Sequence, residues 1–267
     1  MSWSERDVEV GDGVVLHVYR QGTGPSLVLA HGMLDDGACW TRVAEALEPD
    51  FDLIAYDARY HGLTHEPADA AWGGAADLVA LADALDLERP FVMGHSMGAA
   101  TTVAAIAEHP ARFRAAVLED PPWFGGSFDA AMGEERRAMF EEMLAGSEAD
   151  IEATGRQFSP TWADEEFGPW ARAKRRFRGA DRLSGIGATL ANPWQGQAAC
   201  FEIPVLLVCG GDEVKGRIVS PAVASEAASI CPTLEVATFA EAGHNVRREA
   251  FDGYVAAVRE FLGRVAG

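Results

Sequence analysis

Ser96 stands in Gly94-His95-Ser96-Met97-Gly98, between a short apolar run, Phe91-Val92-Met93, and a small-residue stretch with helical spacing from Ala99 to His109. A G-x-S-x-G pentapeptide in a strand-turn-helix setting is a nucleophile elbow, a turn so sharp that glycine is needed on both sides of the serine. The chemistry this implies is attack by the Ser96 hydroxyl on an acyl carbon. A hydroxyl is a poor nucleophile until a neighbouring base takes its proton, and a carboxylate orients that base. His244, in Glu241-Ala242-Gly243-His244-Asn245, is the best candidate base, because it follows the last strand and overhangs the sheet edge to which the elbow points. His95 must diverge from Ser96 on the turn, and His31 braces its own loop. His17, His61, His65 and His109 compete weakly. The oxyanion formed on attack needs two pre-aimed N–H donors. Met97, directly after the nucleophile, offers one, and Met33, in the loop His31-Gly32-Met33, offers the other. There is no HExxH or comparable helical pair, so neither a metal nor a cofactor is expected.

Holding these groups at one edge requires a particular set of elements. Val8–Val10 and Val14–Tyr19 flank Gly11-Asp12-Gly13 as a hairpin. Short apolar runs predict strands at Leu27–Ala30, Leu53–Tyr56, Phe91–Met93, Ala115–Glu119, Pro204–Cys209 and Leu234–Phe239. Helical spacing covers Ala38–Leu47, Ala75–Leu87, Ala99–His109, Pro221–Ile230 and Phe251–Val265. Alternating strands and helices imply a parallel sheet with right-handed crossovers. The alternation lapses between Pro121 and Ile203, a span rich in Trp and Phe and too long for a loop. It reads as a helical cap, residues 121–203, inserted into a core made of residues 1–120 and 204–267.

The 267 residues carry a net charge of −19, with 48% apolar and 24% charged side chains. Such a surface repels nucleic acid and anionic membranes, so neither is expected as a partner. Cys39, Cys200, Cys209 and Cys231 are widely spaced, which suggests no zinc site or disulfide framework. The start, Met1-Ser2-Trp3-Ser4-Glu5, lacks the features of a signal peptide, and a cytoplasmic location is expected. The expected partner is a small-molecule substrate with an apolar part. The oligomeric state is left open.

At this point the chain resembles the α/β-hydrolase superfamily over residues 25–120 and 204–262. The resemblance rests on the His31-Gly32 loop, Asp57-x-Arg59-x-His61-Gly62-x-Thr64, the Gly94–Gly98 elbow and Gly243-His244. It implies an eight-stranded, mostly parallel sheet with helices on both faces and a cap of variable form. Tyr60 replaces a common glycine and Thr64 a common serine, in a segment whose role is mainly structural. The family's chain order of nucleophile, acid and histidine fits. Most members carry the acid after the strand matching Pro204–Cys209, where Gly210-Gly211-Asp212-Glu213 offers Asp212 or Glu213. However, the path from there to Val219-Ser220-Pro221 is lengthened. Haloalkane dehalogenases and zearalenone-lactone hydrolases place the acid at the end of the preceding strand. That position matches Asp120 in Leu118-Glu119-Asp120-Pro121-Pro122. Asp120 is therefore preferred and Asp212 is the alternative. Glu119 should face the opposite side of its strand.

The implied activity is that of a cofactor-free serine hydrolase cleaving a carboxylic ester or lactone through an acyl-enzyme on Ser96. The same residues would serve carbon–carbon bond hydrolysis, or a ligand-binding receptor that retains the triad. The basic run Arg172-Ala173-Lys174-Arg175-Arg176-Phe177-Arg178 has two readings. It is either a solvated helix face balancing the acidic residues of the cap, or a source of one arginine for an anionic substrate.

Overall fold

Leu27-Val28-Leu29 and Phe91-Val92-Met93 are unbroken apolar runs because the strands they form are covered on both faces. The computed structural model describes residues 3–124, 130–182, 194–211, 214 and 216–266. Its strands are β1 (Ser4–Gly11), β2 (Val14–Gly22), β3 (Ser26–Ala30), β4 (Asp52–Tyr56), β5 (Phe91–His95), β6 (Ala116–Glu119), β7 (Val205–Gly210) and β8 (Leu234–Phe239). They make one open eight-stranded sheet in the order β1-β2-β4-β3-β5-β6-β7-β8. β2 runs antiparallel to β1 and β4, and the pairs from β4 through to β8 are parallel.

The helices are α1 (Thr41–Leu47), α2 (Gly74–Ala84), α3 (Met97–Glu108), α4 (Ala130–Ala145), α5 (Glu148–Phe158), α6 (Asp164–Arg176), α7 (Trp194–Ala198), α8 (Pro221–Ile230), α9 (Val246–Glu249) and α10 (Phe251–Ala266). Alternation of side chains sends Val28 and Val92 to one face, where Leu78 and Leu81 of α2, Val103 and Ile106 of α3 and Val223 of α8 cover them. Leu27, Leu29, Phe91 and Met93 point to the other face, against Val43 and Leu47 of α1 and Tyr254, Val258 and Leu262 of α10. The result is the doubly covered parallel sheet that the sequence pattern implies.

Two boundaries depart from the expected ones for local reasons. The first predicted helix splits into a tight turn at Gly37–Trp40 followed by α1, because Asp57 Oδ1 captures the Gly37 N–H at 2.7 Å. Helix α2 stops at Ala84, and Asp86 then takes a positive φ of 52°.

The strand order places the chemistry. The chain leaves β3 toward β4 on one side, and β5 returns on the other. Such a reversal sends the loops after β3 and β5 apart at the carboxyl ends of the strands, the position at which open α/β sheets hold ligands. The loop after β3 carries Met33, and the turn after β5 carries Ser96. Between β6 and β7 the described residues form α4, α5, α6 and α7. A hydrogen-bonded capping box, Ser147 with Asp150, starts α5. Acids in the first turn of α6 and bases in its last complement the helix dipole.

Candidate active site

The turn at Ser96 is forced by what surrounds it. A Cβ on Gly94 would lie 2.3 Å from the Gly98 carbonyl oxygen, and one on Gly98 would lie 2.0 Å from that of Ala30. Both are impossible contacts, so β5 and α3 meet this closely only through glycine. Between them Ser96 adopts φ 52° and ψ −112°, a sparsely populated backbone conformation that costs about 1–3 kcal/mol. The elbow stands beside the loop after β3, since a Cβ on Gly32 would come within 3.5 Å of Ser96 Cβ. Met97 begins α3. Among the described residues neither the Met97 nor the Met33 N–H has a protein acceptor. The Met97 N–H lies at a helix N-terminus, where such groups attract negative charge.

His244 and Asp120 come together from positions 124 residues apart. The imidazole Nδ1 lies 2.6 Å from Asp120 Oδ2. Asp120 is fully buried, has a positive φ of 42°, and accepts two backbone N–H groups, Ile218 to Oδ2 and Val219 to Oδ1, each at 2.9 Å. A carboxylate so placed only accepts. His244 must therefore donate through Nδ1, which leaves the Nε2 lone pair available as a base. The segment lengthened after β7 thus contributes backbone donors to the Asp120 carboxylate. Asp212 and Glu213 lie outside the described residues.

The neighbours of this pair are braces. His95 Nε2 donates to the His244 carbonyl oxygen at 3.0 Å, and the two rings lie 4.7 Å apart. Burial, then Arg247 and His244, hold the His95 pKa well below that of free histidine, so it remains neutral. It ties the residue next to Ser96 to the His244 loop. Glu119, on the opposite side of β6 from Asp120, accepts the Arg247 N–H at 2.8 Å and its guanidinium at 3.3 Å. His31 donates through Nδ1 to the Gly32 carbonyl at 2.8 Å and accepts the Ala58 N–H at 3.0 Å. His61 accepts the Leu34 N–H at 3.3 Å, and burial keeps both rings uncharged. These three rings tie together the loops around the elbow.

The basic run divides: Arg172, Arg175 and Arg178 are exposed, as on a solvated face, and Lys174 alone of its five cations is buried. Lys174 is buried with Nζ 2.8 Å from Asp35 Oδ1. Arg175 donates to the Leu144 and Gly146 carbonyls, and Arg176 lies 3.6 Å from Asp36. Arg178 donates to the Gly62 and Thr64 carbonyls and to Glu66. The run fastens the end of α6 to the loops after β3 and β4. The burial of Lys174 is invisible in the sequence, because its acceptor, Asp35, lies more than a hundred residues away. The aromatic residues of this span also divide. Trp162, Phe167 and Trp170 form a small core of their own with Ile151. Phe177 packs with Leu34 and Tyr60, with Met33 alongside. Trp123 stacks on Trp194 at 4.9 Å.

Among the described residues no group of three or more His, Cys, Asp or Glu side chains is placed to hold a metal ion. None of their helices is long and apolar enough to cross a membrane.

A model of the alpha/beta hydrolase fold family matches residues 25–247. N-formylmaleamate deformylase of Pseudomonas putida is 29% identical over 268 residues, covering 94% of each chain. A crystal structure of N-formylmaleamic acid deformylase from Pseudomonas putida superposes with a TM-score of 0.80 at 26% identity, covering 96% of this chain and 100% of that one. The structure of E-2-(acetamidomethylene)succinate hydrolase gives a TM-score of 0.83 at 23% identity, covering 98% and 99%, a likeness of fold. With the sheet order, the elbow and the family match in agreement, this chain belongs to the α/β-hydrolase fold family.

Proposed function

We propose that the protein is a serine hydrolase that transfers an acyl group to water through Ser96. The observation that carries this reading is the 2.6 Å contact between His244 Nδ1 and the buried Asp120 carboxylate, beside a strained serine elbow. In this reading Ser96 Oγ attacks the acyl carbon while His244 Nε2 takes its proton. The N–H groups of Met33 and Met97 hold the developing oxyanion. His244 then protonates the leaving group, and a water activated by the same ring releases the acyl-enzyme. Asp120 fixes the imidazole tautomer and stabilises the imidazolium. Residues 121–203 act as a cap, and Phe177 from that span packs with Leu34, Tyr60 and Met33 of the loops after β3 and β4.

The substrate class is a small carboxylic ester or lactone. A second reading, an N-acyl amide of a small acid, is supported by the full-length similarity to N-formylmaleamate deformylase. The mechanism is common to both, since each presents an acyl carbon and a leaving heteroatom. Labelling with a fluorophosphonate probe tests the nucleophile. The intact chain should be labelled at Ser96, and Ser96→Ala should not be. Turnover of a panel of p-nitrophenyl esters, lactones, and N-formyl and N-acetyl amides of unsaturated acids then separates the substrate readings. Labelling of Ser96 with no turnover across that panel, and turnover of a vinylogous diketone instead, would move the activity to carbon–carbon cleavage. Binding with no turnover of any of them would leave a receptor.

A further inference from the structure

Asp35 lies in the same loop as Met33, and its N–H closes a turn onto the Gly32 carbonyl at 3.1 Å. Its carboxylate is almost fully buried and receives three cations. Lys174 Nζ of α6 approaches Oδ1 at 2.8 Å, while Arg247 and Arg248 approach Oδ2 at 2.9 and 3.1 Å. Both arginines belong to α9, the short helix that follows His244 directly. Arg247 is also held by Glu119 of β6, and Arg248 reaches Glu166 of α6 at 3.0 Å and the Asn245 side chain at 3.2 Å. Lys174 donates further to the Leu34 carbonyl at 3.3 Å. All six charged side chains are 5% exposed or less. Three cationic and three acidic side chains thus meet in one buried cluster with equal numbers of each sign.

Such a cluster is a poor source of net stability, because desolvation offsets most of the attraction. Its value is geometric. Removing one member strands an uncompensated buried charge, so the remaining groups must move. Here the groups that would move are attached to the two loops on which the proposed chemistry depends. Arg247 and Arg248 follow His244 by three and four residues, and Asp35 follows Met33 by two. The burial of Lys174 favours its neutral form, which Asp35 opposes by charge and hydrogen bonding, while Asp35 itself is held well below the usual carboxylate range by Arg248, Lys174 and Arg247 against the effect of burial. Burial likewise raises the Glu119 pKa, against the opposing charge of Arg247 and the hydrogen bond from its N–H.

We propose that Lys174 and Glu166 are positioning residues through which docking of α6 sets the register between the His244 loop and the Met33 loop. This rests on the serine-hydrolase reading, in which those loops carry the base and one oxyanion donor. The inference assigns to the cap a part in aligning the catalytic groups in addition to covering them. Neither residue touches substrate in this account. Both act through Asp35 and Arg248.

The test uses the full chain, a fluorophosphonate as the probe of Ser96 reactivity, and an ester from the panel above for steady-state kinetics. Lys174→Met removes the charge at nearly constant volume. It should slow labelling and lower kcat by about tenfold or more, on the scale of a sub-ångström misplacement, with KM little changed. Lys174→Arg should keep most of the rate. Glu166→Gln should also slow labelling, by stranding Arg248. The decisive measurement is the double variant. Losing one charge of each sign restores balance, so Lys174→Met with Glu166→Gln should react faster than Lys174→Met alone. If α6 served only as a covering helix, the two losses would add.

Thermal melts define the folded fraction, to which all rates are normalised. Should Lys174→Met fail to fold, Glu166→Gln and the double variant carry the same comparison. Wild-type labelling by either folded single variant, or additive losses in the double, would overturn the inference. Labelling that persists in Ser96→Ala would instead overturn the hydrolase reading, and the two failures are thereby distinguished.

Discussion

Ser96, His244 and Asp120 act as a unit in the proposed mechanism, and a unit fails once. Ser96→Ala and His244→Ala should each reduce turnover by several orders of magnitude, and the double variant should be little worse than either single. Single-turnover rates on the best ester of the panel check this, and losses that multiply would separate the two residues. Asp120→Asn carries a sharper expectation. An amide keeps the shape but replaces one acceptor by a donor, whereas the site presents the Ile218 N–H, the Val219 N–H and the imidazole N–H to the carboxylate. At least one donor must then face another. The loss in kcat should be on the order of 10³–10⁴-fold, the scale of a lost triad carboxylate, with some fall in Tm besides. An Asp120→Asn variant with near-native kcat would remove Asp120 from the mechanism.

At the scale of elements, the position of the nucleophile depends on how closely α3 can approach β3. Gly98 makes that approach possible, since a Cβ there would lie 2.0 Å from the Ala30 carbonyl oxygen. Gly98→Ala should force the helix outward and cost at least about 2 kcal/mol of stability. For a chain of this length that is roughly 4–8 °C in Tm. Ester turnover should fall more than the folded fraction, because the outward shift also carries Met97 and Ser96 away from the loop after β3. A melt at the native temperature with native turnover would show that the contact relaxes without moving the elbow. The helices between β6 and β7 follow a different rule. Helix α5 has a capping box and α6 a charge pattern that suit isolated helices, so their existence is local. Their docking is not, since Lys174, Arg176 and Arg178 are held by Asp35, Asp36 and the loop 62–66.

The whole molecule is strongly acidic, and its folded state must accommodate carboxylates in poor surroundings. Asp36 is the clearest case. Burial, with Asp57 close by, pushes its pKa up to about 7, and Arg176 at 3.6 Å offsets this only in part. In the unfolded chain the same carboxyl titrates near ~3.9. Between those values the folded state keeps a proton that the unfolded state has released, so this residue makes stability fall as pH rises through that window. Above about pH 7 the full penalty stands. Asp36→Asn removes the titration, so its Tm should exceed that of the native chain at pH 8 and the difference should shrink toward pH 5. Parallel Tm curves for the two proteins across this range would refute the assignment. The general repulsion from a net charge of −19 acts on both proteins alike and cancels in the comparison.

Sequence by itself determined the sheet, the elbow and the residues for which chemistry could be argued. Short apolar runs alternating with helical stretches read as strands of a covered parallel sheet, and Gly94-His95-Ser96-Met97-Gly98 specifies a turn through local sterics. These signals sit in contiguous residues, so periodicity and spacing expose them. The tertiary structure decided whatever joins distant residues. It brought Asp120 within 2.6 Å of His244, 124 positions away, and gave that carboxylate its backbone donors at 218 and 219. It also buried one cation of the basic run, Lys174, on Asp35 and left Arg172, Arg175 and Arg178 exposed. Charge in a sequence has a sign but no partner, and burial supplies the partner by making an unpaired charge too costly to keep.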